Sequence, residues 1–122
     1  MASFSVAELG YVQGERRLAR LATADIDGQP HVTPVGMWHY NADLGTIDVS
    51  GHRFASTRKY RNVRANPKAS LVVDDIASQD PWRPRAVIVE GTAEARPPSE
   101  DGTEALIRIT PERVISWGLD DA

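Results

Sequence analysis

Residues 30–38 read Pro30-His31-Val32-Thr33-Pro34-Val35-Gly36-Met37-Trp38, and the fold turns on them. Alternation puts Val32, Pro34, Gly36 and Trp38 on one face of a strand, with Thr33, Val35, Met37 and His39 on the other. Proline has no N–H to give a ladder, so the strand is interrupted at Pro34 or runs along an edge. An interruption beside a glycine exposes backbone that a flat ligand can approach. Upstream lies a second run, Arg17-Leu18-Ala19-Arg20-Leu21-Ala22-Thr23. Asp27-Gly28 separates the two, and both residues tolerate positive φ, which predicts a hairpin.

Working outward, Asn41 to Gly45 reads as a turn, and Thr46 to Ser50 as a strand with Ile47 and Val49 inward. The period then becomes helical from Ser56 to Asn66, with Ser56 or Thr57 as N-cap and Asn66-Pro67 as the stop. Ala69 to Asp74 is a compact strand, and Asp75 to Pro84 reads as a loop carrying Trp82 and Arg83. Arg85 to Ala93 is a further strand, in which Gly91 marks a bulge or bend. After the Pro97-Pro98 loop come a strand from Ala105 to Thr110 and a short strand or turn from Arg113 to Trp117. At the other end, Ser5-Val6-Ala7-Glu8 is a capping box that predicts a helix over Val6 to Val12 covering a barrel end. Six or so short strands in 122 residues predict one all-β domain with minor helices, spanning 1–122 and closed as a small barrel.

Charge is distributed unevenly. The chain carries 14 Lys and Arg against 17 Asp and Glu. Yet Arg53, Arg58, Lys59, Arg61, Arg64 and Lys68 fall in sixteen residues without a single acid. A mildly acidic protein has gathered its positive charge in one place, which focuses an anion there. The absence of cysteine excludes disulfides, thiolate metal sites and a cysteine nucleophile, and fits a cytoplasmic protein. No apolar run approaches the roughly 20 residues of a membrane span, and Met1 to Val6 is too short and polar for a signal peptide. Three histidines without an HExxH pattern point to no metal. Net negative charge, and cations without interleaved aromatics, point away from nucleic acid.

The basic segment has the chemistry of a phosphate site. A helix N-terminus offers N–H groups and a favourable dipole. Ser56 and Thr57 add hydroxyls, Arg58 a bidentate fork and Lys59 a point charge. Arg53 and Arg61 extend the patch toward any polyanionic tail. No catalytic acid, base or nucleophile elbow stands out, as expected when a hydride-transfer cofactor carries the chemistry.

The ordered series His31-Val32-Thr33-Pro34-Val35, Ser50-Gly51, Ser56-Thr57-Arg58-Lys59, Asn62-Val63-Arg64-Ala65-Asn66-Pro67-Lys68-Ala69-Ser70-Leu71 and Val89-Glu90-Gly91-Thr92-Ala93 resembles the pyridoxamine 5′-phosphate oxidase-like superfamily. The likeness runs on through Ile109 to Gly118. Within that superfamily the chain looks most like the actinobacterial enzymes that use coenzyme F420, a deazaflavin. The resemblance implies a six-stranded split β-barrel of the FMN-binding type, assembled as a homodimer with cofactor in grooves at the subunit interface. It assigns Thr57, Arg58 and Lys59 to the cofactor phosphate, and lays Thr33-Pro34-Val35, with Gly36, along the ring. Ser50, Gly51, His52 and Arg53 stand beside the phosphate or tail. The loop carrying Trp82 and Arg83 either reaches the partner subunit's cofactor or is simply anchored by the tryptophan, and Trp117 packs in the core or dimer interface. The chain is shorter than the pyridoxamine-phosphate oxidases and lacks their C-terminal substrate segment, so vitamin B6 oxidation is not expected. The expected activity is hydride transfer between coenzyme F420, whose polyglutamate tail suits a wide cationic patch, and a small conjugated organic substrate. The alternatives are an FMN-dependent oxidoreductase or flavin reductase of the same fold, or a non-catalytic carrier of the cofactor.

Overall fold

The Pro30–Trp38 run is two strands, and they lie at opposite edges of one sheet. The computed structural model describes residues 2–119. Its strands are β1 (Ala19–Ala24), β2 (Pro30–Val35), β3 (Trp38–Asn41), β4 (Thr46–Val49), β5 (Lys68–Gln79), β6 (Trp82–Arg96) and β7 (Leu106–Trp117). Two helices accompany them, α1 (Val6–Val12) and α2 (Arg58–Ala65). All neighbours are antiparallel, in the order β2-β1-β5-β6-β7-β4-β3. The edge strands β2 and β3 are joined only by Gly36 and Met37. Three peptide steps reach about 11 Å at most, so the two edges must meet and the sheet must curl.

The strand count is therefore seven rather than six. The Gly36–Met37 kink also resets the alternation. Val35 and Trp38 are both buried, whereas Val32 and Pro34 face outward. Pro34 sits on an edge strand, where its missing N–H costs no ladder bond. The Asp27-Gly28 hairpin is longer than the two-residue form. Only Gly28 takes positive φ, at 88°, and the Asp25 carboxylate accepts from the N–H groups of Asp27 and Gln29 at 2.9 Å each.

The segment from Asp75 to Pro84 is not a loop. β5 and β6 run on as a two-stranded ribbon past the ends of β1 and β7, turning only at Asp80-Pro81. A bulge between Ile76 and Ser78 breaks the alternation. Pro84 is tolerated because β7 stops opposite Ala86 and leaves that flank of β6 open. Ala105–Thr110 and Arg113–Trp117 likewise merge into one strand from Leu106 on. Gly91 faces a bulge on its neighbour: Glu90 pairs with Arg113 but Gly91 with Pro111.

Leu21, Ile47, Val49, Leu71, Val73, Val87, Val89, Ile107 and Ile109 fill the sheet's concave side. Each such side chain contributes roughly 1.5–3 kcal/mol on burial. Val63 and Tyr60 dock α2 on this core, and Asn62 Nδ2 donates to Thr23 Oγ1 on β1 at 3.0 Å. Tyr11 and Val12 seat α1, whose Glu8 accepts from Ser116 Oγ on β7 at 2.6 Å. The capping box is complete: Ser5 Oγ accepts from the Glu8 N–H, and Glu8 Oε1 from the Ser5 N–H.

Candidate functional site

Thr57 is the N-cap of α2, one residue after the alternative Ser56, and the preceding residues Phe54–Ser56 form a 3₁₀ turn. Thr57 Oγ1 accepts from the Tyr60 N–H at 3.4 Å and donates to the Phe54 carbonyl at 2.7 Å. Ser56 Oγ donates to the Arg53 carbonyl at 2.8 Å. The hydroxyl protons of both residues are thus committed to backbone, and the free donors at this helix end are its cations and the N–H groups of its first turn. Arg53 enters the turn with φ 48°, a left-handed conformation uncommon outside glycine. Gly51 precedes it, where a Cβ would press on the Phe54 ring at 3.2 Å.

Arg58 is exposed, and Lys59 is half-buried with Nζ 5.3 Å from the Phe54 ring centroid. Burial pushes the Lys59 ammonium below its usual range. Among the described residues, the ion pairs are made by Arg17, Arg20, Arg85, Arg96 and Arg108. None of the six cations between Arg53 and Lys68 takes part. An arginine with a carboxylate in reach normally pairs with it, so a cluster left without acids retains its charge for an anion from outside.

The Ser50 N–H donates to the Met37 carbonyl at 2.8 Å, which brings the end of β4 against the Gly36–Met37 link. Gly36 thus adjoins Ser50 and Gly51, with Thr33, Pro34 and Val35 leading into that link along β2, and the chain runs on through His52 and Arg53 to the cap of α2. Trp82 and Arg83 are placed elsewhere. They pair with Gln79 and Ser78 at the tip of the ribbon, with Trp82 64% exposed. The Lys68 end of β5, beside α2, is roughly 36 Å away along the strand at about 3.3 Å per residue. Within one chain they do not join the basic helix.

Three features escaped the sequence reading. His31 stands opposite Thr23 in the β1–β2 register, and Thr23 is the residue that α2 grips through Asn62. Paired residues share a face, so the imidazole lies on the α2 side of the sheet. Its Nδ1 is buried without a hydrogen-bond partner. Burial first, then the charges of Arg58 and Lys59, hold the ring below the ordinary histidine range and hence neutral. Its period-two spacing with Thr33 and Val35 was the available signal. Second, Arg16 Nη2 donates to the Gly36 carbonyl at 2.7 Å. It borders a cleft of about 300 Å³ walled by Gln13, Glu15, Trp38, His39 and Tyr40. Third, Asp75 binds three partners at once. Tyr11 Oη donates at 2.8 Å, Arg17 Nε at 3.0 Å, and Arg85 Nε and Nη2 at 2.9 and 2.6 Å.

The donor set fits a phosphorylated group: cations without carboxylate partners and the open first turn of a helix, with the neutral His31 ring on the same side of the sheet. Among the described residues no group of three or more His, Cys, Asp and Glu side chains could hold a metal ion. No helix among them is long and apolar enough to cross a membrane.

A profile of the family described as pyridoxamine 5′-phosphate oxidase matches residues 8–118. The chain belongs to that family. Among curated proteins it is similar to the 5a,11a-dehydrotetracycline/5a,11a-dehydrooxytetracycline reductase of Streptomyces rimosus. The two are 35% identical, over 96% of this chain and 84% of that protein. Among solved structures, a conserved hypothetical protein of Mycobacterium tuberculosis superposes with a TM-score of 0.70 at 24% identity, covering 96% of this chain and 86% of that one. An FAD-binding protein of Mesorhizobium loti gives 0.66 at 28% identity, covering 93% and 91%. A protein described as F420 reductase gives 0.64 at 19%, covering 87% and 94%, a likeness of fold.

Proposed function

We propose that this chain is an oxidoreductase that transfers hydride between coenzyme F420 and a small conjugated organic molecule, with the cofactor held at the interface of a cytoplasmic homodimer. The observation that carries the reading is that Arg53, Arg58, Lys59 and Arg61 stand without carboxylate partners around the open end of α2, a helix fastened to β1 next to the edge strand β2. In this reading Arg58 and Lys59 hold the cofactor phosphate, and Thr57 fixes the helix end that presents them. Arg53, with His52 behind it, and Arg61 face the anionic tail. Ser50 and Gly51 close the groove against Gly36, and Thr33, Pro34 and Val35 give the ring a flat border at which no neighbouring strand competes. The bound deazaflavin supplies the hydride. The relative at 35% identity is named as a reductase, in accord with redox chemistry.

The homodimer is supported by the sheet's outer face. Register places Pro34, Arg20, Val72, Ile88 and Ile115 in one row across five strands, with Val32 and Ala22 beside it and Trp117 opposite Ala86. Apart from Arg20, which pairs with Asp74, the row is apolar, as suits a face covered by a second subunit. In the dimer, the ribbon tip would carry Trp82 and Arg83 of one subunit toward the ring bound by the other. FMN is the second reading, favoured by the FAD-binding relative.

The test is a fluorescence titration of purified protein with coenzyme F420 and with FMN, followed by turnover assays against conjugated enones. Colourless protein that binds F420 and reduces an acceptor supports the first reading. Protein that arrives yellow with an FMN spectrum supports the second. Tight binding without hydride transfer to any acceptor makes it a carrier, and binding of neither cofactor overturns the site.

A further inference from the structure

We propose that His31 is part of the phosphate site and takes up a proton as a phosphorylated ligand binds, so that affinity there rises as pH falls. This rests on the reading of α2 as the phosphate-binding element. The geometry comes first. His31 lies on the edge strand, opposite Thr23, on the side of the sheet where Asn62 of α2 is fastened to Thr23. Arg58 and Lys59 precede Asn62 by four and three residues, which puts them on the same side of the helix, one turn nearer its start. The imidazole therefore lies on the side where α2 packs, level with Asn62 and one turn in from Arg58 and Lys59, with one nitrogen buried and unpartnered. An unpaired buried nitrogen is a standing cost of this arrangement, and it marks the ring as held without protein partners.

The charges around the ring decide its state. The charges of Arg58 and Lys59 act on it from α2. β1 presents the uncharged Thr23. Asp25, which follows β1, is already engaged with the Asp27 and Gln29 N–H groups. Without an anion, protonation would add a third cation to two unpaired ones, so the ring stays neutral. A phosphate held by Arg58 and Lys59 offsets their charge and brings an anionic oxygen to the ring. The imidazolium then donates an N–H to a phosphate oxygen. Binding raises the histidine from below its ordinary value, near 6.5, to above it. Linkage gives the direction. Affinity is lowest above both values, climbs as pH falls between them and levels off below the lower one. Each unit of displacement is worth tenfold.

The experiment compares wild type with His31→Gln for binding of FMN, riboflavin and coenzyme F420 from pH 8 to pH 5.5. Calorimetry in buffers of different ionisation enthalpy counts the protons taken up. The FMN phosphate itself titrates near pH 6. Once bound it is coupled to His31, so the F420 comparison is the one that isolates the histidine. The F420 phosphate is a diester and does not titrate in this range. The expected result is proton uptake by wild type with the phosphorylated ligands, and a wild-type advantage over H31Q that grows at least fivefold from pH 8 to pH 5.5. Riboflavin should show neither. Equal slopes and equal uptake in the two proteins would overturn the inference while leaving the phosphate site standing. Failure of wild type to bind either cofactor would remove the site and the inference together. Should H31Q not fold, imidazole ¹⁵N shifts of wild type with and without ligand decide the matter, and an unmoved His31 titration refutes the proposal.

Discussion

The Tyr11 hydroxyl donates to Asp75 Oδ1 at 2.8 Å, tying helix α1 to strand β5 across 64 residues of chain. The same carboxylate takes Arg85 through two nitrogens and Arg17 through Nε, while the Arg17 guanidinium lies 4.0 Å from the Tyr11 ring centroid. The bonds from Arg85, joined by those from Tyr11 and Arg17, outweigh partial burial and hold the Asp75 carboxyl well below the usual carboxylate range. A depressed folded-state value means stability present above the unfolded value near 3.9 and lost as pH falls through the folded one. Asp75→Asn should cost about 3 kcal/mol at pH 7, since it leaves two arginines facing each other without their acceptor. Urea unfolding from pH 7 to pH 2 should show a shallower acid limb in D75N than in wild type. Parallel limbs would mean that the cluster contributes nothing to acid sensitivity.

The phenol of the same pair titrates late. Burial, reinforced by the bond to Asp75, pushes Tyr11 up to about 12. A raised folded-state value contributes stability below the unfolded value of about 10 that is lost as pH climbs through 12. Ultraviolet titration of phenolate absorbance should therefore show one of the three tyrosines ionising last. Tyr11→Phe should remove that step and leave the others in place.

Asp48 is the most buried acid, 3% exposed, in a strand whose alternation marked only Ile47 and Val49 as inward. Burial alone would raise its carboxyl. Arg108 at 3.1 Å through both nitrogens, Asn41 and Thr46 reverse that and keep it below the ordinary range. Removing one partner leaves a buried charge alone, so Asp48→Ala should cost about 3–5 kcal/mol. The double change Asp48→Ala with Arg108→Met should cost less than the sum of the two singles, which a double-mutant cycle in urea measures. Strict additivity would mean that the pair is not coupled.

The sequence makes local features legible and hides those assembled across the sheet. The Ser5–Glu8 box, the Thr57 cap and the Asn66-Pro67 stop each lie within four residues, so their physics is complete in a short window. The cation run is legible for the same reason. The ribbon past Ile76 is not, because a bulge shifts the alternation there while Pro81 and Pro84 imitate loop punctuation. Asp75 reads as a turn acid until Tyr11 and Arg17 arrive from far upstream. His31 reads as one more strand residue, since what marks it is a helix end that follows two strands later. The Gly36–Met37 kink leaves little trace in the alternation, but it decides that one run becomes both edges of the sheet.

Gly91 carries a packing requirement that only the register explains. A Cβ there would overlap the Thr110 carbonyl oxygen at the β7 bulge, where Pro111 takes the place that Glu112 vacates. Backbone cannot yield as a flexible side chain can. Gly91→Ala should lower stability by about 2–3 kcal/mol, a drop of several degrees in Tm for a domain of this size. Unchanged thermal unfolding would mean that the bulge slips at no cost.

The basic helix end and the apolar outer face predict different failures, and comparing them tests whether the site spans two subunits. Arg58→Ala with Lys59→Ala removes two charge-assisted contacts, each worth about 1.5–3 kcal/mol, and should weaken cofactor binding at least tenfold while mass and Tm hold. Ile88→Glu places a charge in the middle of the row shared by Val72 and Ile115, where both neighbouring side chains are apolar. It touches no proposed phosphate ligand, so in a monomeric site it should leave affinity unchanged. In an interface site it should yield a monomer by sedimentation and lose cofactor affinity together with the dimer. Adding protein should restore both in parallel, because assembly and binding then share one equilibrium. A folded I88E monomer that binds cofactor as wild type does would assign the whole site to one chain, with Trp82 left as an exposed ribbon tip and no part of the pocket.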